Sequence, residues 1–287
     1  IKGNRVADSW VHDPFPYMGS FGGGVYHCIV KNSVIIENYA ESGGGGAAEC
    51  TIRNSTIASN SAPSGAGVYG GTSQYCRIEH NSAGGDGGGA NGATIESSFV
   101  FGNSALSGGG TYGGTIEGCA ILANVASGEG GGTYEGNVIN SIVFFNSAGG
   151  GNTNWYSGTF TNCCTTPMPA GTGNVTNEPG VLGLSNPHIV SNSPCIDAGA
   201  NDLAVGAVDI DGEPRTNGVA VDIGCDEFWG AGMTGALACA VAPARFLCMQ
   251  STNMVFSADI RGRANEYVWN SSEGESVTNS LFLMHYC

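Results

Sequence analysis

Three tyrosines recur at a fixed interval in the sequence. Tyr112, Tyr134 and Tyr156 follow one another at steps of 22 residues, so a regular fold would bring their rings side by side. Rings that point outward form an aromatic strip suited to stacking on sugar rings, whereas rings that point inward form a structural ladder. The interval therefore predicts either a carbohydrate-binding surface or an internal aromatic stack.

A second candidate site lies in an acidic stretch nearer the C-terminus. Asp209, Asp211 and Glu213 form an Asp-x-Asp-Gly-Glu segment, and carboxylate oxygens are ligands that Ca²⁺ prefers. An Asp-Gly step is also a common turn. The segment predicts a structural cap, with a calcium site as the alternative, and we expect no obligatory cofactor.

The tyrosines belong to a repeat that runs through the first half of the chain. Its marker is a β-branched residue, two variable residues, Asn, one variable residue and Ala, followed by a glycine cluster. An earlier copy around Asn4 fits if residues 8–21 are an inserted loop. The other marker asparagines, 21 or 22 residues apart, are Asn38, Asn60, Asn81, Asn103, Asn124 and Asn146.

The composition of each repeat favours strands over helices. Every unit is broken by glycines and is rich in Val, Ile, Thr, Ser and Asn, which suits short strands and turns. One unit cannot bury its apolar face alone, but stacked units can. We therefore predict an all-β parallel β-helix of about seven to eight coils over residues 1–165. A capping region over 166–229 and a separate segment over 230–287 complete the predicted organisation.

Two columns of the repeat that should face outward become apolar toward the C-terminus. A bare apolar patch on a soluble protein is a liability. We therefore predict that residues 165–228 fold back and cover the patch, and a partner-binding face is the alternative. The residues concerned are Phe99, Phe101, Ala120, Leu122, Ile142 and Phe144.

The charge balance excludes some partners. The 287 residues carry a formal net charge of −15, and Lys2 and Lys31 are the two lysines. Nucleic acid is excluded because phosphate binding needs clustered basic residues. Polyanionic glycans are disfavoured unless a cation bridges the charges. No apolar run approaches the roughly 20 residues of a membrane-spanning helix, so we predict a protein that does not span a membrane.

Eleven cysteines raise the question of disulfides. None forms a C-x-x-C pair, which argues against a zinc ribbon. We favour small buried side chains for the cysteines at repeat positions. Cys195 with Cys225, and Cys239 with Cys248, are the bridges to expect if the protein is exported.

Signals for catalysis are weak. The chain lacks a Gly-x-Ser-x-Gly elbow, a His-Glu-x-x-His helix and a Walker loop. Polysaccharide hydrolases need carboxylates that converge on one face. The carboxylates of the repeats are predicted to be scattered over different columns: Glu79, Asp86, Glu96, Glu117 and Glu129.

The repeats and the segments that follow them resemble a known group of proteins. The glycine-rich coils resemble the repeats of polymorphic-outer-membrane-type β-helix proteins. The stretches Ser193–Gly199, Asp209–Arg215 and Val221–Phe228 resemble the end of choice-of-anchor Q-type proteins. The resemblance implies a right-handed β-helix that is extracellular or on a bacterial cell surface. The segments Phe256–Ile260 and Tyr267–Gly274 resemble part of a PKD-type immunoglobulin-like domain, which implies a short, incomplete β-sandwich.

These observations leave three functions open. The first is a non-catalytic binding or adhesion module for a polysaccharide or cell-envelope glycan, and the second is a polysaccharide lyase or glycoside hydrolase with a site on a β-helix face. The third, ranked last, is ice binding by threonine arrays. The threonines concerned are Thr72, Thr94 and Thr115 in one column and Thr111 and Thr133 in another.

Overall fold

The computed structural model describes residues 1–2 and 21–229 with their side chains. It also describes strand Arg5–Val6 and five strands between residues 238 and 286 by their backbone. The chain divides into two units, one of Ile1–Ile210 with Pro214–Trp229 and one of Asp211–Glu213 with Gly230–Cys287.

The first unit is a parallel β-solenoid built from four sheets of seven strands each. Sheet 1 contains Val25–Tyr26, Ala47–Ala48, Val68–Tyr69, Ala90–Asn91, Thr111–Tyr112, Thr133–Tyr134 and Trp155–Tyr156. Sheet 2 contains Ile29–Lys31, Thr51–Arg53, Thr72–Gln74, Thr94–Glu96, Thr115–Glu117, Asn137–Ile139 and Thr159–Thr161. Sheet 3 contains Val34–Ile36, Thr56–Ala58, Arg77–Glu79, Phe99–Phe101, Ala120–Leu122, Ile142–Phe144 and Cys164–Thr165. Sheet 4 contains Arg5–Val6, Tyr39–Ala40, Ser61–Ala62, Ser82–Ala83, Ser104–Ala105, Val125–Ala126 and Ser147–Ala148.

The predicted fold class is confirmed, but the predicted coil count is slightly too high. Each turn passes through the four sheets in order, and about six turns are complete among the described residues. Before the first complete turn, the described residues contribute strand Arg5–Val6 to sheet 4 and a parallel bridge from Lys2 to Ile36 of sheet 3. After the last complete turn, residues 155–165 supply strands to three of the four sheets. The described residues of the repeat around Asn4 form one strand, whereas the sequence predicts a full coil there.

The interior of the solenoid is filled by the middle residue of each three-residue strand. Successive side chains of a strand point to opposite faces, so the middle residue points inward when its neighbours point outward. Stacking of turns then buries columns of like side chains. The middle residues are Val30, Ile52, Ser73, Ile95, Ile116, Val138 and Phe160 in sheet 2 and Ile35, Ile57, Ile78, Val100, Ile121 and Val143 in sheet 3.

The marker asparagines form a continuous buried ladder. The side-chain amide of Asn81 donates to Asn103 Oδ1 at 2.9 Å, and that of Asn103 donates to Asn124 Oδ1 at 3.0 Å. Each Oδ1 also accepts the backbone amide of the preceding asparagine, as Asn103 Oδ1 does from Asn81 at 2.9 Å. Asn154 closes the ladder by accepting from the Asn146 side chain at 3.2 Å. Stacking of the turns thus places the marker asparagines in one buried column.

A second apolar core lies outside the solenoid, on the outer face of sheet 3. Phe99, Leu122 and Ile142 are fully buried there, packed with Ile189 and Ile223 of the following segment. The prediction that the C-terminal residues cover this patch is confirmed. Sheet 3 therefore has apolar packing on both of its faces.

The covering segment runs back along the corner between sheets 2 and 3. Asn162 donates its side-chain amide to Ala198 O at 3.0 Å, and Asn140 donates to Ala200 O at 3.0 Å. Further along the segment, Val205 O accepts from Ser97 Oγ at 3.4 Å. Residues 198–205 thus run from the last turns of the solenoid back toward earlier turns.

The described cysteines are free thiols. The predicted Cys195–Cys225 bridge is absent: both residues are buried free thiols in the outer core, where Cys164 is a neighbour of Cys195. The predicted Cys239–Cys248 bridge lies outside the residues whose side chains are described. The preference for small buried side chains holds for the repeat cysteines Cys50 and Cys76.

The second unit is antiparallel. Strands Ala238–Ala242, Asn253–Arg261 and Phe282–Tyr286 form a three-stranded sheet with Asn253–Arg261 in the centre. Strands Val268–Asn270 and Ser276–Thr278 form a separate pair. In the described parts of both units, the single helix is the 3₁₀ turn Asn201–Leu203. The described residues therefore contain no helix that is long and apolar enough to cross a bilayer.

Candidate ligand-binding surface

The three recurring tyrosines are register partners on consecutive strands of sheet 1. In the two-residue strands Thr111–Tyr112 and Thr133–Tyr134 the threonine is buried and the tyrosine is half-buried. Alternation of side chains therefore directs the tyrosines outward. We call Tyr112, Tyr134 and Tyr156 the tyrosine ladder.

The rings of the tyrosine ladder stack on one another. The ring centroids of Tyr112 and Tyr134 lie 4.9 Å apart with an angle of 5° between the planes. Those of Tyr134 and Tyr156 lie 4.8 Å apart with an angle of 22°. These spacings match the distance between neighbouring strands, so the rings form a stack that faces outward, and the inward orientation considered from the sequence is wrong.

The ladder ends at Tyr112 on one side within sheet 1. Asn91 is the register partner of both Tyr69 and Tyr112, so it interrupts the aromatic column. Its side-chain amide donates to Ser64 Oγ at 2.7 Å, and the ring of Tyr69 instead packs against Phe21 at 5.0 Å. The face of Tyr112 that is turned toward Asn91 therefore ends the stack.

Carboxylate charges act on the hydroxyl groups of Tyr112 and Tyr134. Burial raises the pKa of Tyr112, and the charges of Asp86 and Glu135 raise it further. The pKa of Tyr134 is raised by desolvation and then by Tyr156. Neutral phenols at pH 7 both donate and accept hydrogen bonds, so the ladder offers polar groups along one edge.

The backbone beside the ladder is open on two consecutive turns. Gly92 and Gly113 follow the ladder column directly, and a Cβ built at either residue would meet no atom within 4 Å. Both have positive φ, and Glu135 occupies the same position in the next turn with φ of 49°. The missing side chains leave a shelf of open backbone beside Asn91 and Tyr112, at one end of the ladder.

The predicted calcium ligands fall in different units. Asp209 is buried in the first unit, where its carboxylate accepts the Glu227 amide at 3.2 Å. Asp211 and Glu213 belong to the second unit, where they can bring carboxylate oxygens within 4.8 Å of each other. Calcium binding therefore stays a prediction, which a calorimetric titration of the full chain with Ca²⁺ checks.

Arg215 organises the C-terminal cap of the first unit. The guanidinium is 4 % exposed and donates to the backbone carbonyls of Asp222 at 3.0 Å, of Asp226 at 3.3 Å and of Gly224. Glu227 Oε2 lies 3.9 Å from Arg215 Nη1. A buried guanidinium held by carbonyls in this way fixes the path of residues 222–227.

The carboxylates of the cap accept hydrogen bonds from backbone amides. Asp222 accepts from Asp197 at 2.7 Å and from Phe228 at 2.6 Å. Glu227 accepts from Asn217 at 2.7 Å and from Asp222 at 3.0 Å. These hydrogen bonds give the carboxylates of Asp222 and Glu227 a structural role in the cap. The sequence analysis predicts such a role for the acidic stretch.

We expect the cap to make stability depend on pH. Burial raises the pKa of Glu227 from 4.5 to about 7. The folded chain therefore holds this proton more tightly than the unfolded chain, so the free energy of unfolding falls as pH rises from about 4.5 to about 7. The difference corresponds to about 3 kcal/mol. Denaturation at pH 5 and pH 8 measures it, with Glu227→Gln reducing the change and the exposed Glu178→Gln leaving it as in wild type.

The repeats also contain a carboxylate pair that the sequence interpretation missed. Glu96 and Glu117 are register partners on adjacent strands of sheet 2, so the expectation that repeat carboxylates occupy different columns is wrong for them. Burial raises the pKa of Glu117, and the charge of Glu96 raises it further. Both residues lie seven positions before a marker asparagine. Alignment of the repeats on those asparagines therefore places the two carboxylates in one column.

The threonine columns differ in their placement. Thr111 and Thr133 are buried, so that column cannot serve as a binding surface. Thr72, Thr94 and Thr115 are consecutive register partners on sheet 2. Glu96 and Glu117 follow two residues after the last two threonines and share their face, which breaks the uncharged array that ice binding needs.

The fold places the chain in the class of parallel β-solenoid proteins. No family model, no curated protein and no solved structure was found to match the chain.

Proposed function

We propose that the protein is a non-catalytic binding or adhesion module, extracellular or on a bacterial cell surface, that contacts carbohydrate through the tyrosine ladder. The observation that carries the proposal is the outward stack of Tyr112, Tyr134 and Tyr156 on consecutive turns. The stack spans about 10 Å, because neighbouring strands lie about 4.8 Å apart. A strip of this length accommodates a short stretch of an extended glycan.

The stacking defines how a sugar would meet the ladder. Both faces of the Tyr134 ring are turned toward neighbouring rings, so a glycan would contact ring edges and hydroxyl groups along the column. The face of Tyr156 that is turned away from Tyr134, in a side chain that is 38 % exposed, is the surface for ring-on-ring stacking. The shelf at Gly92 and Gly113 lets an extended chain approach closely.

The surrounding charge favours a neutral glycan. Asp86 and Glu135 act on the Tyr112 hydroxyl, and the formal net charge of the chain is −15. A polyanionic chain would meet repulsion at this surface unless a cation intervened. We therefore propose a neutral polysaccharide or cell-envelope glycan as the partner.

The proposed location rests on the resemblance to exported β-helix proteins. The stretches Ser193–Gly199 and Val221–Phe228, which carry that resemblance to the choice-of-anchor Q type, form part of the cap described above. For residues 230–287 we propose the PKD-type assignment. It is supported by the antiparallel strands Asn253–Arg261 and Val268–Asn270, which include parts of the two resembling segments.

Substitution of the central tyrosine tests the proposal. We expect wild type to bind neutral glycans on an array and Tyr134→Ala to lower the affinity for the best ligand about tenfold or more. Tyr26→Ala is the matched control, because Tyr26 lies in the same column but outside the ladder, and it should bind as wild type does. Equal binding by Tyr134→Ala and wild type would contradict the proposal.

The Glu96 and Glu117 pair supports polysaccharide hydrolysis as a second candidate function. Retaining glycosidases hold two carboxyl groups about 5–5.5 Å apart, and register partners on adjacent strands have backbones about 4.8 Å apart. The raised pKa of Glu117 would suit it to hold a proton as the general acid, with Glu96 as the nucleophile.

Product release separates the two functions. If the second candidate holds, wild type releases reducing ends from a polysaccharide panel, and Glu96→Gln and Glu117→Gln each abolish release. The exposed Glu49→Gln serves as the control and keeps full activity. Glycan binding by wild type without any product would count against hydrolysis and in favour of the binding module.

A further inference from the structure

We propose that Cys28 and Cys50 form a thiol–disulfide exchange site, at which a small-molecule disulfide oxidises the two thiols to a covalent link between the first two complete turns. Nothing in the binding function proposed above uses these residues. Their juxtaposition follows from the solenoid, which stacks the residue preceding each strand of sheet 2 on its counterpart in the next turn.

The two sulfur atoms already lie in contact. Cys28 Sγ is 3.5 Å from Cys50 Sγ, and the Cys28 amide lies 3.4 Å from Cys50 Sγ. The turns are held together here by the hydrogen bond from Thr51 N to Cys28 O at 2.9 Å. Neighbouring strands are about 4.8 Å apart, which falls within the Cα separation of about 4.4–6.8 Å that disulfides span. Rotation of the side chains is then sufficient to close the bond.

The two thiols differ in access. Cys28 is half-buried, whereas Cys50 is 1 % exposed and donates its thiol hydrogen to Ala48 O at 3.1 Å. Burial raises the pKa of Cys50 to about 11. Cys28 is therefore the residue that meets the oxidant first, and Cys50 is the resolving residue.

The reaction balances as two successive exchanges. The Cys28 thiol loses its proton and attacks one sulfur of the small disulfide, which forms a mixed disulfide and releases the other half as a thiolate. Cys50 then loses its proton and attacks Cys28 Sγ, which expels the second thiolate. Two protein thiols are oxidised to one disulfide, and one small disulfide is reduced to two thiols that take up the two protons.

Other cysteines of the described structure lack this combination of contact and access. Cys164 and Cys195 are neighbours, but both are fully buried in the outer core. Cys76 and Cys119 share a column but are separated by Ser98 of the intervening turn. The next turns after Cys50 carry Gly71 and Ala93 at the equivalent position, so the exchange site is confined to one pair.

Peptide mapping of the full chain tests the proposal. The protein is incubated under native conditions with oxidised glutathione, free thiols are alkylated, and the digest is analysed by mass spectrometry. We expect a linked peptide pair joining Cys28 to Cys50 as the predominant internal cross-link. In Cys50→Ser the cross-link disappears, and Cys28 carries glutathione as a stable mixed disulfide.

Cys119→Ser provides the matched control. Serine is the residue found in this column at Ser33, Ser55, Ser98 and Ser141, so the substitution follows the repeat and should leave the Cys28–Cys50 cross-link in place. The proposal is overturned if wild type shows no Cys28–Cys50 peptide after exposure to oxidised glutathione. It is also overturned if the buried Cys164–Cys195 pair is linked to at least the same extent.

Discussion

Gly109→Ala is expected to prevent formation of the native solenoid. A Cβ at this position would lie 2.5 Å from Gly131 O and would also overlap Val125 O. Both obstacles are backbone atoms, and the turns are fixed by the hydrogen bond from Gly109 N to Gly130 O at 3.1 Å. Relief requires the turns to separate, so we expect a loss of more than about 4 kcal/mol. The circular dichroism of the purified variant, and its unfolding in urea, measure the effect.

Gly113→Ala separates this steric effect from the general cost of replacing glycine. Gly113 has φ of 61°, yet a Cβ there would meet no atom within 4 Å. The left-handed conformation alone costs roughly 1–2 kcal/mol, and Glu135 adopts it at the equivalent position. A Gly109→Ala protein that unfolds at the same urea concentration as Gly113→Ala would contradict the argument from packing.

Asn103→Ala should destabilise the solenoid by roughly 3–5 kcal/mol, since each buried polar group left without a partner costs about 1–3 kcal/mol. The substitution removes the acceptor of the Asn81 backbone amide and of its side chain. It also removes the donor to Ile78 O, which lies 2.8 Å from Asn103 Nδ2. The free energy of unfolding from chemical denaturation measures the loss.

Asn137→Ala is the control for the asparagine ladder. Asn137 is exposed on sheet 2, and its side chain accepts from Thr159 Oγ1 at 2.8 Å. Surface substitutions of this kind usually change stability by less than about 0.5 kcal/mol. Similar losses for the two variants would show that the buried ladder contributes no more than a surface hydrogen bond.

The repeat alone was sufficient to predict the stacking of turns. A recurring asparagine implies one position relative to the preceding turn, and Asn60, Asn81 and Asn103 take that position. The outer core was also predictable, because the large apolar residues Phe99 and Ile142 stand where polar residues were expected. Local period and side-chain type contain this information.

The sequence could not settle the orientation and contacts of the tyrosine ladder. Strands of two residues, such as Thr133–Tyr134, carry too short an alternation to tell the inner side chain from the outer one. Ring stacking between Tyr112 and Tyr134 depends on the spacing of turns and on side-chain rotation, which no local pattern specifies. The Cys28–Cys50 contact depends on rotation in the same way.

The contacts between residues of the cap could not be predicted from the sequence either. Cys195 and Cys225 both enter the outer core, but the path of the covering segment decides which thiol lies beside which. Arg215 is held by the carbonyls of residues 222–226, an arrangement of backbone groups that leaves no trace in residue types. Contacts between distant stretches of an irregular segment are the part of a fold that repeats do not encode.

The covering segment has a consequence for synthesis on the ribosome. Each turn of the solenoid bonds to a neighbour 21 or 22 residues away, as Asn103 does to Asn124, so turns can add one after another as the chain emerges. Phe99 and Leu122, however, stay exposed until Ile189 and Ile223 have been synthesised and have packed against them. During that interval the nascent chain exposes a column of apolar side chains on sheet 3. Exposed apolar surface of this kind is recognised by chaperones and drives aggregation.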